Sequence, residues 1–212
     1  MRGRVAVAAA AAGMLAAAAG LAQQPGAAPA EDVVTIQFKI DRPRGLWYFD
    51  PAGVRVRPGQ LVRFVSTDYR QSITAYHPAN GRLPRRIPDG AQPFDAVLGE
   101  NADHYRGVFE TRFTVEGTYD FFNRFHEARG AVGRIVVGRP GGPAEGPLGT
   151  GPAPAQPEGF IGLSTDPTRL RAVRRVYELI PSERIMREGR VSLPLDQLAP
   201  GRAHQRGNVP IP

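Results

Sequence analysis

Short stretches in which apolar and polar residues alternate recur between residues 33 and 138. In the first stretch the apolar side chains that share one side are Val34, Ile36, Phe38 and Ile40. The same pattern returns in stretches that start at Val54, Val62, Phe109, Tyr119 and Ile135. Because successive side chains of a strand point to opposite faces, this period of two predicts half-buried β-strands.

Turn-forming pairs such as Pro58-Gly59 and Glu116-Gly117 separate these stretches. No long helical period occurs before Pro140. Short strands joined by turns, without helices between them, predict an all-β fold, specifically an antiparallel β-sandwich. A closed barrel is the alternative architecture.

The N-terminal segment has the order of features that a secretory signal peptide requires. Arg2 and Arg4 come first, an Ala-rich apolar run follows to Leu21, and the small residue Ala22 ends the segment. We therefore expect a signal peptide at residues 1–22, a spacer at 23–32, and a mature protein that is periplasmic or secreted. No membrane span is expected after cleavage, whereas a retained N-terminal anchor is the alternative.

Composition excludes several classes of function. The chain contains no cysteine, so an exported form has neither a disulfide nor a thiolate metal ligand. The formal net charge of +7 falls by two, to +5, when Arg2 and Arg4 leave. A nucleic-acid partner is not expected, because no aromatic stacking motif lies between the arginines.

No motif points to an enzyme. The serines near His77 lack a nucleophile elbow and an oxyanion loop, and the Gly-rich segment after Gly138 lacks the Lys-Ser or Lys-Thr ending of a phosphate-binding loop. Non-enzymatic function is the expectation.

The C-terminal third changes in composition. Residues 139–159 consist mostly of Gly and Pro, which predicts a flexible or partly extended linker. A helical extension is expected at residues 160–198, with an apolar stripe formed by Leu170, Val173, Val176, Tyr177 and Ile180. A second, shorter helix should begin at Pro181-Ser182 and stop at Gly189, and the tail at 199–212 should be disordered.

Two predicted strands are joined by a loop that contains a single histidine, His126, in the segment GTYDFFNRFHEARGAVGRIVV at residues 117–137. Together with other stretches, this segment makes residues 33–138 resemble the cupredoxins, the blue copper family that includes plastocyanin and halocyanin. The further stretches are PAGVRVRPGQLVRFV from residue 51, ITAYHP from residue 73, RIPDGAQPFDA from residue 86 and FTVEGTYDFF from residue 113. This resemblance implies a Greek-key antiparallel β-sandwich, here with a short C-terminal helical extension.

The resemblance also implies where copper ligands would stand. The family's first His falls on Gln71, its Cys on Asn123, its second His on His126 and its Met on Ala131. A blue copper centre depends on a soft thiolate with two imidazoles and a weak axial thioether. A neutral amide cannot replace a thiolate and alanine has no donor, so we expect a degenerate site without type 1 copper, and no cofactor is predicted.

Two hypotheses follow for this end of the domain. Gln71, Asn123 and His126 are expected to converge and to hydrogen-bond one another in place of the metal. Alternatively, copper binds at a non-blue site, for which His126 and His77 are the weak candidates.

The sequence thus favours an exported, non-enzymatic binding or accessory protein with an unidentified protein partner. The alternative is a copper-binding protein that acts in copper handling or electron transfer.

Overall fold

The structure is a computed structural model that describes residues 32–81, 83–99, 106–148 and 167–198, and all of them belong to one compact unit. The predicted signal peptide at 1–22, most of the spacer and the tail at 199–212 lie outside these residues. Residues 149–166 of the predicted linker and helical extension do so as well.

Ten strands form the described part of the sandwich. They are β1 (Val34–Asp41), β2 (Leu46–Asp50), β3 (Gly53–Val56), β4 (Leu61–Ser66), β5 (Gln71–Ala75), β6 (Asp95–Leu98), β7 (Gly107–Arg112), β8 (Gly117–Phe122), β9 (Val132–Val137) and β10 (Arg190–Val191). One sheet has the order β2-β1-β4-β7, and the other has the order β10-β3-β9-β8-β5-β6. The all-β sandwich predicted from the alternation is confirmed. Most neighbours are antiparallel, but β1 runs parallel to β4 and β3 runs parallel to β9.

The core between the sheets consists of the apolar side chains that the alternation singled out. Ile36 and Phe38 of β1 and Phe64 of β4 meet Phe121 of β8 and Ile135 of β9, and all five are buried. Phe64 and Phe121 pack edge to face with ring centroids 5.3 Å apart, an arrangement that aromatic pairs favour.

A second apolar layer covers the other face of the six-stranded sheet. Helices α1 (Pro167–Leu179) and α2 (Ser182–Glu188) form it, as the sequence predicted, and α2 ends at Gly189 with a φ of 74°. Their buried side chains pack with Phe122, Val132 and Val136 of the sheet; they are Val173, Val176, Tyr177, Ile180 and Ile185. Among the described residues, no helix is long and apolar enough to span a membrane.

This second layer changes the strands beneath it. Every residue of β8 and β9 is buried, so neither strand is half-buried as a period of two predicts. Helix α2 also approaches the neighbouring strand β3 closely: a Cβ on Gly53 of β3 would lie 2.8 Å from the side chain of Ile185 of α2. The sheet tolerates this distance because position 53 has no side chain.

A buried ionic cluster fastens the segment after β9 to the sheet. Asp120, which is fully buried, accepts hydrogen bonds of 2.8 Å from Nε of Arg86 and from Nε of Arg134. Both guanidinium groups also donate to the carbonyl of Ala144, at 2.6 and 2.9 Å. The flexible linker expected from residue 139 onward therefore begins as packed chain, at least through residue 148, because arginine side chains satisfy its carbonyl groups.

Replacing Asp120 tests the importance of this cluster. The change Asp120→Asn leaves two buried guanidinium groups without their counter-charge, which should lower the free energy of unfolding by about 3–5 kcal/mol. Urea denaturation measures the loss. The matched control is Asp89→Asn, which removes the ion pair of Arg85 with a carboxylate whose side chain is 84% exposed. Its effect should be indistinguishable from zero, and an equally small effect of Asp120→Asn would contradict this account.

Candidate functional site

Two side-chain amides meet where β5 begins and β8 ends. Nδ2 of Asn123 donates a hydrogen bond of 2.9 Å to Oε1 of Gln71. Asn123 is 0% and Gln71 is 5% exposed. The contact predicted between these two residues is present.

The remaining polar atoms of the two amides are also engaged. Nε2 of Gln71 donates to the carbonyl of Tyr69 at 2.8 Å, and Oδ1 of Asn123 accepts from the backbone N–H of Phe125 at 2.9 Å. Each amide is thus held by a bond at both its oxygen and its nitrogen. Because buried amides need such partners, this arrangement fixes both side chains in one orientation.

The loop that follows Asn123 closes on itself and rests on helix α1. The backbone N–H of Asn123 donates to the carbonyl of Ala131 at 2.8 Å, and Ala131 is fully buried. At Gly130, whose φ is 87°, a Cβ would lie 3.4 Å from the carbonyl oxygen of Ala172 and from the side chain of Val176. Helix α1 therefore packs against the loop at Gly130.

A buried hydrogen bond ties the same loop to the chain beyond β5. The hydroxyl of Tyr76 donates to Oε1 of Glu127 at 2.6 Å, and both residues are buried. Burial and the neighbouring Glu127 carboxylate raise the pKa of Tyr76 well above its ordinary value. Tyr76 thus remains a hydrogen-bond donor.

His126 lies in this loop but outside the amide pair. Its imidazole stacks between Phe38 and Trp47, with ring centroids 6.0 and 5.4 Å away. Its Nδ1 is buried and has no hydrogen-bond partner among the described residues. The expectation that His126 would share hydrogen bonds with Gln71 and Asn123 is wrong for Nδ1, because the two amides bond each other and nearby backbone groups instead.

The surroundings of His126 favour its neutral form. Burial and, to a lesser extent, the positive charge of Arg129 together lower the pKa of His126 from 6.5 to about 4. The Arg129 guanidinium itself lies over the Trp47 ring, 3.9 Å from its centroid. The loop therefore presents a neutral imidazole beside a cation stacked on an aromatic ring.

His77, the other histidine considered for a metal site, has a structural role. Its Nδ1 accepts a hydrogen bond of 3.1 Å from the backbone N–H of Ala79 and caps a short 3₁₀ turn. It follows the end of β5 that pairs with Phe121, whereas Gln71 begins β5. Strand β5 and the bend at Tyr76 separate the two, so the structure does not bring His77 to the amide pair.

Comparison with known proteins gives sequence relatives that match about half of the chain. Pseudoazurin of Methylorubrum extorquens is 32% identical over 109 residues, which are 51% of this chain and 64% of that protein. The chain is thus similar in sequence to a cupredoxin, and its two-sheet sandwich is a cupredoxin-like fold. Pseudoazurin of Paracoccus pantotrophus is 29% identical to this chain over 94 residues, 44% of the chain and 55% of the relative. The chain spans less than two thirds of the length of either relative.

Solved structures of cupredoxins align with about half of the chain. The crystal structure of pseudoazurin from Methylobacterium extorquens AM1 is 29% identical, with a TM-score of 0.41 over 50% of this chain and 76% of that one. A purple cupredoxin from Nitrosopumilus maritimus is 22% identical, with a TM-score of 0.36 over 49% of this chain and 98% of that one. No family model matches the chain.

The donors at this end of the domain do not fit a blue copper centre. The sequence has no cysteine, so no thiolate is present. The amides at positions 71 and 123 are committed to each other and to backbone groups. Within the described residues, no three His, Cys, Asp or Glu side chains form a group suited to a metal ion. Among the described residues, Nδ1 of His126 is a buried imidazole nitrogen without a hydrogen-bond partner.

Sequence reasoning missed the aromatic surroundings of His126. Trp47 and Arg129 lie 82 positions apart in the sequence and meet only in the folded chain. Phe125, which the alternation from Tyr119 onward would place on the same face as Phe121, lies beyond the end of β8 at Phe122 and is 38% exposed. The sequence feature that could have drawn attention to this cluster is Trp47, because it is the only tryptophan of the chain.

The lowered pKa of His126 predicts a pH-dependent stability. Between pH 6.5 and about 4 the unfolded chain binds a proton at His126 and the native protein does not. The free energy of unfolding should therefore fall as the pH drops through this window, and this contribution should be constant below it. Urea unfolding followed by the fluorescence of Trp47 at several pH values measures the slope.

The control is His126→Phe, which keeps an aromatic ring between Phe38 and Trp47 but cannot bind a proton. It should show a smaller loss of stability than the wild type between pH 6.5 and 4. Identical slopes for the two proteins would contradict the assignment.

Proposed function

We propose that this cupredoxin-like chain is an exported, metal-free and non-enzymatic protein that binds a protein partner. The observation that carries the proposal is the hydrogen bond between Asn123 and Gln71. These residues stand where the family resemblance places the copper-binding Cys and the first His. A pair of mutually bonded amides satisfies the site without an ion.

Export is supported by the signal-like pattern of residues 1–22. The copper-bearing members of the family are electron carriers, and a carrier acts by meeting protein partners. Loss of the thiolate removes the blue centre, but it leaves the surface around the loop available for docking. The proposal therefore keeps the binding role and omits the redox role.

The surface at the His126 end has the composition of a protein-binding patch. Tyr69 is 45% and Phe125 is 38% exposed, and both adjoin the amide pair through their backbone groups. Arg129, with no ion pair among the described residues, lies stacked on Trp47 nearby. Aromatic and arginine side chains are enriched at the centres of protein interfaces.

A second candidate is a non-blue copper site that serves copper handling. The buried Nδ1 of His126 favours it, because a nitrogen without a partner is costly to bury and is a possible copper donor. Such a site would need ligands beyond those that the described residues bring together.

A Cu(II) titration of the mature protein separates the two candidates. Calorimetry and visible absorption are recorded for the wild type, for His126→Ala and for the control His77→Ala. The metal-free proposal predicts no tight stoichiometric binding and equal, weak heats for all three proteins. Stoichiometric binding that His126→Ala abolishes and His77→Ala preserves would overturn the proposal in favour of copper handling.

A further inference from the structure

An open cavity of about 200 Å³ lies on the outer face of the six-stranded sheet. The packed segment after β9 borders it on one side and helix α1 on the other. Its charged and aromatic lining residues are Arg86, Arg134, Glu145, Arg174, Tyr177 and Glu178. The mutual stacking of Trp47, His126 and Phe38 involves none of them, so this cavity is separate from the proposed docking surface.

The two buried guanidinium groups at the cavity differ in their hydrogen bonds. All three nitrogens of Arg86 donate, to Asp120 and to the carbonyls of the packed segment. Arg134 uses Nε and Nη2 in the same way. Its Nη1 has no partner among the described residues, yet it is not one of the polar atoms sealed from solvent. Since Arg134 lines the cavity, the N–H groups of Nη1 are available there.

Three arginine side chains line the cavity, those of Arg86, Arg134 and Arg174. The carboxylates of Asp120 and Glu145 lie beside the two buried arginines. The Glu178 carboxylate lies 3.7 Å from Arg175, which offsets its charge. Oε1 of Glu145 accepts hydrogen bonds from the hydroxyls of Thr118 and Ser182, so these groups hold it at the sheet. Among the described residues, Arg174 is therefore the lining arginine that has neither an ion pair nor a buried carboxylate partner.

We propose that this cavity binds a small oxyanion, of the phosphate or short carboxylate class. Nη1 of Arg134 donates to it, and Arg174, which lines the same cavity, is exposed and has no ion pair among the described residues, supplies a second guanidinium group. Guanidinium groups suit both oxyanion types because their N–H groups match planar or tetrahedral oxygen arrays. The volume lies below the range of pockets for drug-sized molecules, about 300–1,000 Å³, which fits a ligand of a few atoms.

Nuclear magnetic resonance of the arginine side chains tests the proposal directly. Inorganic phosphate, and separately acetate, is titrated into the ¹⁵N-labelled full chain at constant ionic strength and neutral pH. We expect a saturable shift of the Nε–Hε signal of Arg134. Saturation by phosphate alone identifies a phosphate-type site, and saturation by acetate as well identifies a site for oxyanions in general; both results support the proposal.

Two substitutions on helix α1 distinguish a site from general attraction to a basic protein. Arg174→Ala should weaken binding about fivefold, the scale of one partly exposed charge interaction. Arg171→Ala removes an equally exposed arginine that does not line the cavity, and it should leave binding unchanged. The proposal is overturned if Arg134 shows no saturable shift, or if both substitutions weaken binding equally. Neither outcome depends on whether the protein binds copper.

Discussion

The hydrogen bond from Asn123 to Gln71 joins the end of β8 to the start of β5 inside the protein, and the loop with His126 begins there. A buried amide that lacked its partner would cost about 1–3 kcal/mol. This requirement fixes both side chains, and their other bonds fix the backbone at Tyr69 and Phe125. The bond therefore determines how the chain enters the loop and which aromatic side chains it exposes.

Helix α1 provides the other restraint on that loop. It packs against Gly130, while Tyr76 binds Glu127 beneath it. The helix is in turn held by the apolar layer on the outer face of the sheet, and Tyr177 lies beside the Arg134 guanidinium, 5.0 Å from ring centroid to carbon. The C-terminal extension, the ionic cluster and the His126 loop thus form one continuous packed assembly. In the metal-free proposal, these protein groups meet the restraints that a bound metal would otherwise help to supply.

Much of this fold follows from the sequence, but particular parts do not. The alternation at Val34, Ile36 and Phe38 predicts β1 because that strand has one buried face. The same alternation does not predict the burial of β8 and β9, because the helices cover their second face. The Gly- and Pro-rich composition of residues 139–148 predicts a flexible linker, whereas arginines distant in sequence bind the carbonyl groups of this segment and hold it in place. Family spacing located Gln71 and Asn123 correctly relative to each other. The stacking of His126 on Trp47 depends on tertiary contacts that no local pattern contains.

The most direct test of this account is a double-mutant cycle on the amide pair, measured by urea unfolding at neutral pH with a chelator present. Gln71→Ala and Asn123→Ala should each lower the free energy of unfolding by about 1–3 kcal/mol, because each leaves a buried amide unsatisfied. The double variant should lose less than the sum of the two, with a coupling energy of about 0.5–1.5 kcal/mol. Strictly additive losses would show that the two amides do not link β5 and β8, and would contradict the claim that they stand in for the metal.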